Sequence, residues 1–116
     1  MPVRGAREAI TKEVTSWEGV TTHPHRFGGI EYCYGERREI GHTHGDALVD
    51  ILIPISLRDQ LVAEGRAERH HVLPDIGAVT IFLKKPEDVQ RAIEILRMSY
   101  DLAVKQAARY KRVSSQ

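Results

Sequence analysis

The stretch from Arg37 to Pro54, Arg-Arg-Glu-Ile-Gly-His-Thr-His-Gly-Asp-Ala-Leu-Val-Asp-Ile-Leu-Ile-Pro, decides how the chain is interpreted. Its first half predicts a strand that carries His42 and His44. Its second half, residues 47–53, is rich in β-forming residues and contains one acid, Asp50. The stretch therefore combines a predicted fold element with side chains that can transfer protons or bind metals.

The two predicted strands form a hairpin. Residues two apart on a strand project to the same face, so the two imidazoles should lie side by side, in a row that Arg38 and Ile40 extend. The dipeptide Gly45-Asp46 is typical of the turn that joins antiparallel strands. We expect the histidines near the hairpin tip and the acid on the returning strand.

Apolar spacing predicts the remaining elements. A helix is expected over residues 6–17, the hairpin core over 29–54, a second helix over 56–64 with Ser56 as its N-cap, a strand over 78–84, and a long helix over 86–110. The order α-β-β-β-β-α-(β)-β-α predicts an α+β fold: a single two-layer domain over residues 1–116, with an antiparallel sheet of about five to six strands and helices on one side.

Composition excludes several classes of protein. The 116 residues contain 17 Lys plus Arg and 16 Asp plus Glu, so no basic footprint predicts nucleic acid as a partner. Cys33 is the only cysteine, which excludes an internal disulfide and a cysteine-rich zinc site. No apolar run is long enough for a membrane span, and the N-terminus lacks the apolar core of a signal peptide. We expect a cytoplasmic protein with no membrane partner.

The histidines point to a site. They form three tight pairs: His23 with His25, His42 with His44, and His70 with His71. Histidine is the usual general base near neutral pH, and two histidines with a carboxylate suffice for a catalytic metal. Each pair also has a plain interpretation as turn or surface residues. Because adjacent residues of an extended segment point oppositely, at most one histidine of the third pair should serve a site.

Asp50 carries the strongest part of this prediction. A carboxylate among strand apolars lies on the solvent face or has a partner. The candidate partners are a histidine or Arg38, and the sequence leaves the choice open.

With these residues assembled, the chain resembles the luciferase-like family, small and mostly bacterial domains named for their similarity to the fungal luciferase of bioluminescent mushrooms. The resemblance rests on Trp17-Glu-Gly-Val20, His23-Pro-His-Arg-Phe-Gly-Gly29, Arg38-Glu-Ile-Gly-His-Thr-His-Gly-Asp46, residues 65–75, Glu87-Asp-Val89 and Leu96-Arg-Met-Ser-Tyr100. It spans roughly residues 17–108 for the bacterial members. For the fungal enzyme it begins near Arg38, is best at Arg-Glu-Ile-x-His-x-His and at His70, and runs into the last predicted helix.

The resemblance implies a reaction with molecular oxygen. The fungal enzyme oxidises a hydroxylated styryl-pyrone, without a known organic cofactor, through a peroxide intermediate that loses carbon dioxide and emits light. Carried over to this chain, His42 or His44 would deprotonate an enolic hydroxyl. Arg38 or a second histidine would then stabilise the enolate while it reacts with molecular oxygen.

Three hypotheses follow. The first is an enzyme with a histidine-lined pocket for a small molecule, in which the catalytic residues are His42, His44, Asp50 and Arg38 and the substrate-binding residues are His25, His70, His71 and Tyr32. The second is a metalloenzyme or metal sensor that holds a divalent metal with His42, His44 and Asp50. The third is a non-catalytic interaction domain. No cofactor other than this metal is proposed, and a homodimer stays open.

Overall fold

The computed structural model describes residues 2–25 and 28–114. Its elements in chain order are α1 (Ala6–Val14), β1 (Val20–Pro24), β2 (Ile30–Tyr34), β3 (Arg38–His44), β4 (Leu48–Leu52), α2 (Ile55–Ala63), β5 (Glu68–Arg69), β6 (Ala78–Phe82) and α3 (Pro86–Ser114). The strands form one antiparallel sheet in the order β1-β2-β3-β4-β6-β5. This confirms the predicted α+β fold.

The helices pack on one face of the sheet. Alternate residues of the central strands, such as Val49 and Ile51 of β4, are fully buried in one apolar core with residues of α1 and α3. The core includes Ile10, Val14, Val79, Ile81, Ile95 and Leu96. Because successive residues of a strand face opposite ways, the residues between them, Asp50 and Thr80, lie on the face that the helices leave uncovered, which we call the open face.

A β-bulge interrupts the pairing of β2 with β3. Tyr32 lies opposite Gly41, but the next residue, Cys33, lies opposite Glu39, so β3 contains one extra residue, Ile40. A bulge changes which face the following side chains occupy. Ile40 is therefore part of the core. The side chains after the bulge again alternate between the two faces, but one residue out of step with those before it.

The bulge makes one prediction wrong. Ile40 and Arg38 do not continue the row of histidines on β3. Ile40 is fully buried on the helix side, and the Arg38 guanidinium donates a hydrogen bond to the Gln106 side chain of α3. The predicted row depends on a regular alternation, and one extra residue is enough to move a side chain to the other face.

Helix ends differ from the predictions in detail. α1 ends at Val14 instead of residue 17, and α3 continues to Ser114. α2 begins at Ile55 after Pro54 and has no side-chain cap, so Ser56 lies inside the first turn and is not its N-cap. None of the helices in the described part of the chain is both long and apolar enough to cross a membrane.

Candidate functional site

Three segments bring the site residues together on the open face. The β3–β4 hairpin places His42 directly opposite Asp50. The turn after β1 and the loop after β5 supply further histidines. Together they line a cleft of about 500 Å³, whose walls are His25, His42, His44, Asp50, His70, His71, Val72 and Leu73. Five of the six histidines in the chain thus line one cleft, which we call the histidine cleft.

Asp50 lies at the centre of this cleft and is only 1% exposed. The Nε2 atoms of His42, His44 and His71 each lie 3.1 Å from its Oδ2 atom. The Nε2 atom of His70 lies 3.5 Å from the same oxygen. A carboxylate oxygen has two lone pairs, so it cannot accept hydrogen bonds from four ring nitrogens at once.

The second oxygen of Asp50, Oδ1, is held by Thr80. The Thr80 hydroxyl donates to Oδ1 at 2.6 Å, and the same hydroxyl oxygen accepts the backbone N–H of His71 at 3.1 Å. Thr80 therefore fixes the carboxylate on β4 and the loop after β5 with one side chain. Burial alone would raise the pKa of Asp50, but hydrogen bonds from His42 and Thr80 and the nearby histidine charges hold it well below its usual range.

His42 lies between two carboxylates. Its Nδ1 atom is 3.0 Å from Glu39 Oε2, and its Nε2 atom faces Asp50. A neutral imidazole that donates Nδ1–H to Glu39 presents the Nε2 lone pair to the second anion. This arrangement is repulsive unless a positive charge lies on or beside the ring. Burial lowers the pKa of His42, but hydrogen bonding to Asp50 and Glu39 outweighs it and raises the pKa to about 9.

The distances also fit a metal ion. Metal–nitrogen and metal–oxygen bonds of about 2.0–2.2 Å place neighbouring ligand atoms about 2.8–3.6 Å apart, with the shorter distances in octahedral and the longer in tetrahedral coordination. The three Nε2 to Oδ2 distances of 3.1 Å fall in this range. Ligand atoms of His44, Asp50 and His71 lie within 4.8 Å of one another, as do those of His25, His42 and His44. Imidazole with carboxylate suits iron, manganese or zinc.

The structure brings some predicted residues together and not others. The His25 ring stacks on the His42 ring, with centroids 4.0 Å apart. His23 is exposed and lies against Thr21, outside the histidine cleft. Arg38 lies against α3, as described above. Tyr32 is fully buried and its hydroxyl is 2.6 Å from the Thr11 hydroxyl of α1, so it does not line the cleft.

His70 and His71 both line the cleft, so the expectation that their side chains point in opposite directions is wrong. The segment is not extended, because the Nδ1 atom of His70 accepts the backbone N–H groups of Val72 and Leu73 and closes a turn. In this turn the side chains of adjacent residues converge. Their ring centroids are 4.8 Å apart.

Sequence reasoning missed Glu39 and Thr80. Glu39 reaches His42 three residues later because of the bulge, and the glycine at position 41 was the available signal, since a glycine inside a strand often marks a bulge. Thr80 lies between Val79 and Ile81, so the alternation of the strand already placed it on the face opposite the core. Its contact with Asp50 depends on the pairing of β4 with β6.

A family model described as Luciferase domain matches residues 37–99. This span covers more than half of the chain. The chain belongs to the Luciferase domain family. No curated protein and no solved structure gives a significant match. Within the Luciferase domain span lie Asp50 and four of the five cleft histidines, while His25 precedes it.

Proposed function

We propose that this Luciferase domain protein is an enzyme that oxidises a small molecule with molecular oxygen at a divalent metal centre. The proposed ligands are His42, His44, His71 and Asp50. The observation that carries the proposal is the convergence of three Nε2 atoms on Asp50 Oδ2, each at 3.1 Å. The resemblance to the fungal luciferase supports oxygen as the co-substrate.

Neighbouring groups support this ligand set. Glu39 accepts from His42 Nδ1, which leaves Nε2 as the lone-pair atom that a metal needs, and carboxylate–histidine pairs of this kind are common around metal ligands. Thr80 holds Asp50 through the oxygen that faces away from the histidines. Three nitrogens and one oxygen leave one or two coordination positions for a small molecule.

An iron, manganese or copper ion, when bound, would supply Lewis acidity and one-electron redox chemistry, whereas a zinc ion would supply Lewis acidity alone. The chain supplies the rest. Val72 and Leu73, which are 66% and 54% exposed, form an apolar wall that can cover the body of an organic substrate. His25 lies outside the proposed ligand set beside His42, where it can accept a proton from a substrate hydroxyl.

A second candidate is metal-free acid–base chemistry in the same cleft. It is favoured by the raised pKa of His42, about 9, because an imidazolium between Glu39 and Asp50 would itself supply the positive charge. His42 would then stabilise a substrate enolate, and His44 would be the general base.

Elemental analysis of tag-free protein purified without chelator tests the proposal. We expect near-stoichiometric iron, manganese, zinc or copper in the wild type and under a tenth of it in Asp50→Asn and in the double variant His42→Ala/His44→Ala. His23→Ala is the matched control and should keep its metal, because His23 lies outside the cleft.

Oxygen uptake with a panel of enolic aromatic compounds then separates the two candidates. Uptake by the metal-loaded protein that stops after chelation supports the metal centre. A wild type that holds no metal, even after incubation with each ion, overturns the metal centre, and uptake by that metal-free protein would select acid–base chemistry instead.

A further inference from the structure

One histidine of the cleft differs from the others in how its ring is bonded. The Nδ1 atom of His70 accepts two backbone hydrogen bonds, from Val72 N at 3.2 Å and from Leu73 N at 3.0 Å. An imidazole nitrogen that accepts hydrogen bonds carries no proton. The ring is therefore neutral, and its single proton is on Nε2.

This proton points into the cleft. The Nε2 atom lies 3.5 Å from Asp50 Oδ2, and the side chain is 13% exposed. The corresponding distance is 3.1 Å for each of His42, His44 and His71, so His70 makes the weakest contact with the carboxylate. A ring nitrogen that carries a proton cannot bind a metal, whereas it can donate to another oxygen in the cleft.

We infer that His70 is not a ligand but a fixed hydrogen-bond donor, which holds an anionic oxygen of the small molecule beside Asp50. This inference rests on the proposed function, because it assumes that a small molecule enters the cleft. The inference adds that this molecule carries an anionic oxygen. In the neutral ring the backbone N–H groups of Val72 and Leu73 leave His70 no other tautomer, so Nε2 is the donor.

Substitution separates the two roles of the ring. In His70→Asn the side-chain oxygen can accept the same two backbone N–H groups, since asparagine commonly caps the residues two and three positions later. The Nε2–H donor is lost. In His70→Ala both the donor and the cap are lost. Amide exchange at Val72 and Leu73 reports whether the loop is kept in each variant.

The first measurement is ¹⁵N NMR of the histidine rings, with and without added metal. We expect His70 to show the Nε2–H tautomer in both samples, while the nitrogens of His42, His44 and His71 shift on metal addition. A protonated Nδ1 on His70, or a metal-dependent shift as large as those of the ligands, would overturn the inference. Absence of any metal-dependent shift would count against the proposed metal centre and leave the tautomer of His70 readable.

The second measurement is calorimetric titration with acetate as a simple oxyanion. We expect His70→Asn to weaken acetate binding about tenfold, the effect of one hydrogen bond to a charged oxygen, with amide exchange at Val72 and Leu73 unchanged. His70→Ala should weaken it at least as much and also speed that exchange. Equal affinities in wild type and His70→Asn, or no acetate binding by the wild type, would contradict the inference.

Discussion

At the scale of single residues, one buried carboxylate lies at the centre of the histidine cleft. Asp50 is nearly inaccessible, and an unpaired buried charge would be strongly unfavourable. It is paired instead through Thr80 on one oxygen and through histidines on the other. The orientation of each histidine therefore matters, and the second nitrogen of His42 has a charged partner, Glu39.

Glu39→Gln tests that partner. The amide oxygen can still accept a hydrogen bond, but the negative charge that makes His42 more basic is gone. We expect metal affinity to fall roughly 10–100-fold, the usual effect of removing an outer partner of a ligand, with little change in the melting temperature of the metal-free protein. Competition with a chelating dye measures the affinity.

Glu36→Gln is the matched control for that experiment. Glu36 is exposed in the turn before β3, and its substitution removes the same charge. Equal affinities of the two variants would show that Glu39 does not tune His42.

At the scale of elements, the bulge in β3 decides which side chains reach the cleft. It lets Ile40 enter the core and turns His42 and His44 to the open face. The bulge also needs a glycine at position 41. A Cβ atom there would lie 2.7 Å from the Leu96 side chain and 2.7 Å from the backbone oxygen of Asp50. Backbone on one side and the core helix on the other leave no room for it.

Gly41→Ala should therefore destabilise the protein and disturb the site together. We expect a loss of about 1–3 kcal/mol in the free energy of unfolding, typical of overpacking, and weaker metal binding because the displaced backbone belongs to Asp50. Urea unfolding and metal titration measure the two effects. Thr22→Ala, on the exposed edge strand β1, is the control; wild-type behaviour of Gly41→Ala in both assays would contradict the account of the bulge.

The start of α3 depends on an ionised side chain. Asp88 Oδ2 accepts the backbone N–H groups of Lys84 and Lys85 at 2.8 and 2.9 Å, and Oδ1 binds Arg91 at 2.7 Å. Burial raises the pKa of Asp88, but these backbone hydrogen bonds and the nearby cations outweigh it and lower the pKa below its usual value. Ionised Asp88 therefore stabilises the fold at neutral pH.

Asp88→Asn should lower the free energy of unfolding by about 0.5–1 kcal/mol at pH 7, because it removes a charge at a helix N-terminus. The stabilisation by the carboxylate is complete above the unfolded pKa of about 3.9 and is lost as the pH falls through the lower folded value. The difference in the free energy of unfolding between wild type and variant should thus disappear below about pH 4. Chemical denaturation over this pH range measures it.

Asp101→Asn is the control for the helix start, since Asp101 is 57% exposed and pairs with Arg97 in the middle of α3. A gap between wild type and Asp88→Asn that stays constant down to acidic pH would contradict the role of the ionised carboxylate.

At the scale of the whole molecule, the two faces of the sheet carry different kinds of residue. The helix-covered face holds the apolar core, with Ile10, Val49, Ile81 and Leu96 fully buried. The open face holds the histidine cleft. The fold therefore does not depend on the site for its core, which distinguishes this arrangement from small domains that a metal ion folds.

Removing metal should lower stability without unfolding the chain. A ligand that binds only the native state adds about 2.7 kcal/mol when its free concentration is a hundred times Kd. We expect chelator to lower the melting temperature while the far-ultraviolet circular dichroism spectrum is kept. Loss of that spectrum on chelation would show that the metal holds the fold together, and an unchanged melting temperature would argue against metal binding.

The local parts of this architecture could be predicted from the sequence. The hairpin around Gly45-Asp46, the position of Asp50 on the returning strand and the start of α3 at Pro86 depend on residues close in the chain, through alternation, turn chemistry and helix-start signals. The prediction failed where one local irregularity mattered. The bulge at Ile40 removed Arg38 from the row of histidines.

The sequence by itself determined the α+β fold and the hairpin that carries His42, His44 and Asp50, because these follow from patterns among residues close in the chain. Only the tertiary structure decided that His25 and the loop of His70 and His71 join them. Their convergence depends on where β1 and β5 lie in the sheet. That placement results from contacts between residues far apart in the chain, which no local sequence pattern predicts. It also decided the state of His70, because a ring's tautomer follows from the groups that surround it in space.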